Sequence, residues 1–168
     1  MGDNDAALKE FLAFAELYCQ QERTHCAEYA MMRNNTSMLL DSMGRYSEAE
    51  KMIMEVAALD QELKMAPDNI ATHQRNIALI LAHCETWEEA EPLAEKAVAM
   101  RSGLFGETSP WTADARAVCA FVLSHLGHAE QARQMVAQAL AILETEWDAK
   151  HRHTRNARAI QEAISALP

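Results

Sequence analysis

Apolar residues in this chain return at steps of three and four, and the pattern breaks and restarts at even intervals. Three stretches, "AMMRNNTSMLLDSMG", "ATHQRNIALILAHCE" and "ADARAVCAFVLSHLG", each place a small residue (Ser37, Ala78, Ala120) three positions before a leucine (Leu40, Leu81, Leu123). That spacing lays one apolar stripe along a helix. After each comes a short turn and a second periodic stretch: "EAEKMIMEVAALDQEL", "EAEPLAEKAVAMRSGL" and "QARQMVAQALAILETE". Their stripes run through Met52, Leu93 and Met135, then Val56, Ala97 and Ala139. The predicted unit is helix, tight turn, helix and a longer connection, repeated with a period of about 42 residues.

The turns read "GRYSEAE", "ETWEEAE" and "GHAEQAR". Ser47 with Glu50 and Thr86 with Glu89 have the spacing of capping boxes, and Tyr46 and Trp87 stand where an apolar residue staples onto a new helix. Ala49, Ala90 and Ala132 recur just inside the second helices, where two closely crossing helices leave no room for a larger side chain. First helices are expected to begin near Ala30, Ala71 and Ala113, with Pro67 and Pro110 marking the boundaries before the second and third units. Gly103 and Gly106 are expected to end the helix ahead of Pro110.

Two flanking helices complete the reading. Residues 5–22 predict an amphipathic helix capped by Asp5. Leu8, Leu12, Ala15 and Cys19 lie on one side, widened by Phe11, Phe14 and Tyr18, and pack on the first unit. Residues 151–167 predict a terminal helix with a sparse apolar side (Ala157, Ile160, Ile164, Leu167) and one wet face, as the end of a stacked array requires. The expected organisation is one domain over 1–168: an N-terminal helix (1–23), repeats at 24–66, 67–108 and 109–150, and a C-terminal capping helix (151–168).

The stretches "PDNIATHQRNIALI" and "WEEAEPLAEKAVAMRSGLFG" carry a resemblance to the tetratricopeptide repeat, in the long form found in kinesin light chains and their prokaryotic relatives. The resemblance covers residues 24 to about 154. The middle unit matches best, and the third has Ala129 where an aromatic is usual. It implies an all-α fold, a right-handed α-solenoid of tandem helix-turn-helix repeats whose first helices line a concave groove. It also implies that the asparagine pair of such units, here Asn34 and Asn35 with Arg75 and Asn76 at the equivalent places, faces a peptide, whereas unit three breaks the pattern with Ala117 and Val118.

Composition fits helices. The 168 residues are 49% hydrophobic, with five Gly and four Pro, which favours helix over strand. The formal charge is -10, and acids outnumber bases about two to one up to Pro110 but only match them afterwards. No broad basic face of the kind nucleic acids require is present. The cysteines, Cys19, Cys26, Cys84 and Cys119, form no Cys-x-x-Cys pair and read as reduced core thiols. An acidic start and the lack of a long apolar run lead us to expect a cytoplasmic protein without a membrane anchor.

Candidate chemistry sits on the first helices. Asn34, Asn35 and Met38 in unit one, Arg75, Asn76, Leu79 and His83 in unit two, and Phe121 and His125 in unit three fall off the core stripe and are expected to line the groove. Amides clamp a peptide backbone without regard to sequence, and Arg75 suits an acidic residue or terminal carboxylate. His83 and His125 repeat in register, as groove residues or as helix-end residues facing carbonyls. Lys150, Arg152, Arg155 and Arg158 form a basic stretch, complementing the end of the preceding helix or contacting an acidic partner or another copy. No catalytic or metal-binding motif is present, and no cofactor is expected.

The sequence therefore reads as a protein-interaction module or adaptor for a protein or peptide, without enzymatic activity. The alternatives are a regulatory or sensor subunit of a larger complex, and a scaffold that self-assembles through its solenoid ends, which leaves homo-oligomerisation open.

Overall fold

The computed structural model describes residues 2–167, so the two chain-end residues of the expected domain lie outside it. The described residues form eight helices and no strand: α1 (Gly2–Gln20), α2 (Ala27–Ser42), α3 (Tyr46–Leu63), α4 (Pro67–His83), α5 (Trp87–Phe105), α6 (Pro110–His125), α7 (Ala129–Glu146) and α8 (Arg152–Ser165). Helices α2–α3, α4–α5 and α6–α7 are hairpins, each packed on the next. The even-numbered helices also touch one another in series, α2 on α4, α4 on α6 and α6 on α8, whereas α3, α5 and α7 do not meet among the described residues. One layer is thus drawn together and the other splayed, which makes the first helices the inner wall of an α-solenoid.

The recurring small residues are where the hairpins close. Ala49, Ala90 and Ala132 are fully buried, as are Ser37, Ala78 and Ala120 in the first helices. A larger side chain there would separate two backbones in contact. Between them a continuous core runs through Ile53, Val56, Ile77, Ile80, Val118, Val122, Val136 and Leu143 to Ile160 and Ile164.

The turns close differently from expectation. Helix α2 ends in a Schellman motif, with Gly44 N–H donating to Asp41 O at 2.9 Å and Arg45 N–H to Leu40 O at 3.0 Å. The second turn repeats it through Glu85 and Thr86 onto Ala82 and Leu81. Arg45 and Thr86 then stand at the N-caps of the next helices, and neither side chain makes the cap hydrogen bond. Ser47 lies inside α3, and the Thr86 hydroxyl donates back to Leu81 O at 3.0 Å. Arg45 instead forks onto Glu48, both bonds at 2.7 Å. The Tyr46 and Trp87 rings lean across to the next unit rather than stapling their own helices.

Helix starts also move. Helices α2, α4 and α6 begin at Ala27, Pro67 and Pro110, three or four residues ahead of the alanines that mark first burial. Proline occupies the opening turn of α4 and α6, where its missing N–H costs nothing, and Ser109 caps α6 by accepting from Trp111 N–H at 3.3 Å. Helix α1 runs from Gly2 rather than from a cap at Asp5.

Candidate functional site

The inner wall encloses a groove of about 770 Å³. Asn34, Asn35, Met38 and Asp41 of α2, Thr72, Arg75, Asn76 and His83 of α4, and Arg152, His153 and Asn156 of α8 line it, with Arg101 and Trp111 at one end and Tyr46 at the other. Helical periodicity explains the set: the apolar stripe of each first helix faces its hairpin partner, which leaves the polar positions facing the hollow.

These polar side chains are tied to one another. Asn76 Nδ2 donates to Asn34 Oδ1 at 2.9 Å, bridging unit two to unit one. Arg75 donates to its neighbour Asn76 Oδ1 at 3.2 Å and to Asp114 Oδ1 on α6 at 2.7 Å. The other Asp114 oxygen accepts from Arg101 of α5 at 2.7 Å. His153 Nδ1 of α8 lies 2.8 Å from Asp114 Oδ1, and Arg152 Nε donates to His153 Nε2 at 3.2 Å. A polar chain therefore runs through the wall from α2 to α8, with Asp114 as its hub.

Burial alone would raise the Asp114 pKa. Arg75, His153 and Arg101 overcome it and hold the carboxyl well below the usual carboxylate range. Burial lowers the Arg101 pKa, with Arg75 acting in the same sense and Asp114 opposing it. Two guanidinium groups share one carboxylate, and Arg152 adds a third on the exposed rim, so this end of the groove carries an excess of positive charge.

The sequence-selected residues divide into three groups. Asn35 and Met38 reach the groove, with Asn35 exposed, while Asn34, Arg75 and Asn76 line it from the buried network. Leu79 is displaced from expectation: it is 2% exposed and belongs to the core, because α4 is flanked by first helices on two sides and its apolar sector is correspondingly wide. His83, Phe121 and His125 join a row of rings along the turn edge. His83 lies 5.1 Å from Tyr46 and 5.9 Å from Phe121, and His125 stacks on Trp87 at 3.9 Å with planes 2° apart. His83 faces the groove, its Nδ1 2.5 Å from Asp41 Oδ1, so its helix-end partner is a carboxylate, not a carbonyl.

The basic stretch splits as well. Arg158 donates to Glu144 of α7 at 2.6 Å, complementing the preceding helix, whereas Arg152 turns to the groove and Arg155 is exposed. His151 and His153, two apart in sequence, bring their rings within 5.4 Å beside Trp147. Among the described residues no group of His, Cys, Asp and Glu has the arrangement of a metal site.

Sequence reasoning missed Arg101, Trp111 and Asn156. Arg101 lies on a second helix, outside the elements searched for groove residues. A lone arginine within the apolar run "AVAMRSGLF" was its available signal.

Comparison with known proteins agrees with this architecture. A family model described as tetratricopeptide repeat matches residues 69–145. A sequence comparison with curated proteins finds no match. Among solved structures, the nearly identical TPR-like repeats ascribed to a kinesin light chain of Podosopora anserina superpose with a TM-score of 0.73 at 14% identity, covering 97% of this chain and 78% of that one. A second structure of those repeats, carrying one substitution, gives 0.74 at 14% identity, covering 97% and 77%. BtubC (BKLC) from P. vanneervenii gives 0.61 at 16% identity, covering 97% of this chain and 63% of that chain. The resemblance seen in the sequence thus holds for the fold.

Proposed function

We propose that this chain, whose residues 69–145 match a tetratricopeptide-repeat model and whose fold is similar to kinesin-light-chain TPR-like repeats, is an adaptor whose concave groove holds a peptide segment of a partner, with an acidic residue or terminal carboxylate of that segment at the α8 end. The observation that carries this reading is the polarity of the groove. One wall offers the exposed amide of Asn35 beside the thioether of Met38, and the far end offers Arg152 and Asn156 over the Arg75–Asp114–Arg101 cluster. In a chain of net charge -10, a concave cationic pole is where an anionic group gains most from desolvated, pre-oriented donors.

The buried network makes the wall rigid before any ligand arrives. Asn34, Asn76 and Arg75 hold the curvature, and the exposed donors make the contact. A ligand then meets a groove already in shape, which lowers the ordering cost of binding. No described helix is long and apolar enough to cross a membrane.

The test is a selection from a random peptide display library with the full chain as bait, repeated with Arg152→Glu. The reading expects enriched peptides to share an acidic position or a free C-terminus and to lose affinity roughly tenfold or more against Arg152→Glu. Enrichment indifferent to that change, or neutral and basic peptides only, overturns it.

A further inference from the structure

Arg152 opens α8 and reaches the groove, and its neighbour His153 decides how it is presented. His153 is 9% exposed, and both of its ring nitrogens are engaged. Arg152 Nε donates to Nε2 at 3.2 Å, so Nε2 carries a lone pair. The ring proton is then on Nδ1, which donates to Asp114 Oδ1 at 2.8 Å. Only this neutral tautomer fits both partners. The other tautomer sets a lone pair against a carboxylate, and the imidazolium sets N–H against N–H. Asp114 is itself fixed by Arg75 and Arg101 at 2.7 Å each, and the rings of Trp147 and Trp111 flank the imidazole at 5.4 and 6.0 Å.

The consequence for Arg152 is geometric. A guanidinium can fork onto a carboxylate along either of two edges, Nε with one Nη or the two Nη groups end on. His153 occupies Nε, which leaves the end-on pair for the hollow. Asn156 stands one turn further along α8, exposed and lining the same groove, so its amide lies on the same side of the helix as Arg152.

We propose that His153 is a positioning residue for ligand recognition. As the Nδ1–H tautomer it links the fixed Asp114 carboxylate to Arg152 and aims the end-on fork of that arginine, with the Asn156 amide beside it, at one carboxylate of the bound segment. The proposal rests on the groove reading above and says which atoms at the α8 end make the contact. Without His153, Arg152 is a long side chain on an exposed rim, and the ligand has to order it.

The experiment joins nitrogen-15 NMR of the imidazole rings in the full chain to titrations of an acidic peptide from the display selection. The free chain at neutral pH should show His153 protonated at Nδ1 and not at Nε2. His153→Asn keeps a donor for Asp114 and has no acceptor at the Nε2 place. It should weaken the peptide roughly three- to tenfold, the cost of ordering one free arginine, with helicity unchanged. His153→Gln extends an amide oxygen toward Arg152 and should recover part of that loss. In an Arg152→Ala background, His153→Asn should cost nothing further, which a merely structural histidine would not give. A ring protonated at Nε2, a His153→Asn chain that binds as tightly as wild type, or an equal loss with and without Arg152 overturns the proposal. Affinity lost with Arg152→Glu but kept with His153→Asn sinks this proposal alone, whereas affinity indifferent to Arg152→Glu sinks the groove reading and this proposal with it.

Discussion

Asn76 donates from Nδ2 to Oδ1 of Asn34 at 2.9 Å, so the amides that mark successive repeats are bonded across the repeat boundary. Each asparagine thereby satisfies a buried group of the other, and only Asn35 of the predicted amides is exposed toward the groove. Asn76→Ala should therefore lower stability by about 1–3 kcal/mol, because it leaves Asn34 Oδ1 and an Arg75 N–H without partners. Asn35→Ala should leave stability unchanged to within about 0.5 kcal/mol and weaken the binding of a selected peptide. Urea melts and peptide titrations of the two single variants check both statements.

Asp114 is the hub of the wall, and its removal leaves Arg75 and Arg101 as buried charges without a counter-ion. Asp114→Asn should cost about 3–5 kcal/mol near neutral pH. The sign of the pH dependence follows from the depressed pKa. A carboxyl held low when folded contributes stability above its unfolded pKa of about 3.9 and loses it as the pH falls through the folded value. The gap in melting temperature between the wild type and this variant should be constant from pH 7 to about 5 and shrink below about 4. Melting curves at several pH values measure it.

The second turn places Glu85 at φ 62°, where the first and third turns place Gly44 at 73° and Gly127 at 89°. A side chain in that left-handed region carries strain that glycine avoids. Glu85→Gly should stabilise the chain by about 1 kcal/mol and raise its melting temperature by roughly 2–4 °C. Gly44→Ala should act in the opposite sense. Calorimetry of the two variants is the check.

Burial pushes the Cys119 thiol up to about 11, with Glu95 and Glu91 adding to it, and burial together with Glu50 pushes Cys84 up to about 11. Neither is a ready thiolate at pH 8. Cys19 is exposed and Cys26 half-buried. Alkylation of the native chain followed by peptide mass mapping should label Cys19 and Cys26 first, and Cys84 and Cys119 only on unfolding.

The fold was legible because period, alanine register and boundary prolines agree with one another. Ala49, Ala90 and Ala132 marked the hairpin crossings, and all are fully buried. Local turn chemistry was harder to read, because Ser47 and Thr86 sit at capping-box spacing, yet α3 starts ahead of Ser47, and the Thr86 hydroxyl, at the N-cap of α5, turns back onto Leu81 O. The groove was half legible. Periodicity put Asn34, Arg75 and Asn76 on the inner wall but could not show that they bond to each other, since the partners Asp114, Arg101 and His153 come from three other helices. Leu79 escaped for the same reason: a helix flanked on two sides buries more than one stripe.

The measurement that bears most directly on an inner wall meeting other molecules is amide hydrogen exchange of the full chain, with and without a peptide taken from the display selection. The groove reading predicts new protection on α2, α4 and α8, centred on residues 34–38, 72–76 and 152–156, with little change on α3, α5 and α7. Protection confined to α3, α5 and α7, or to α1, would contradict it.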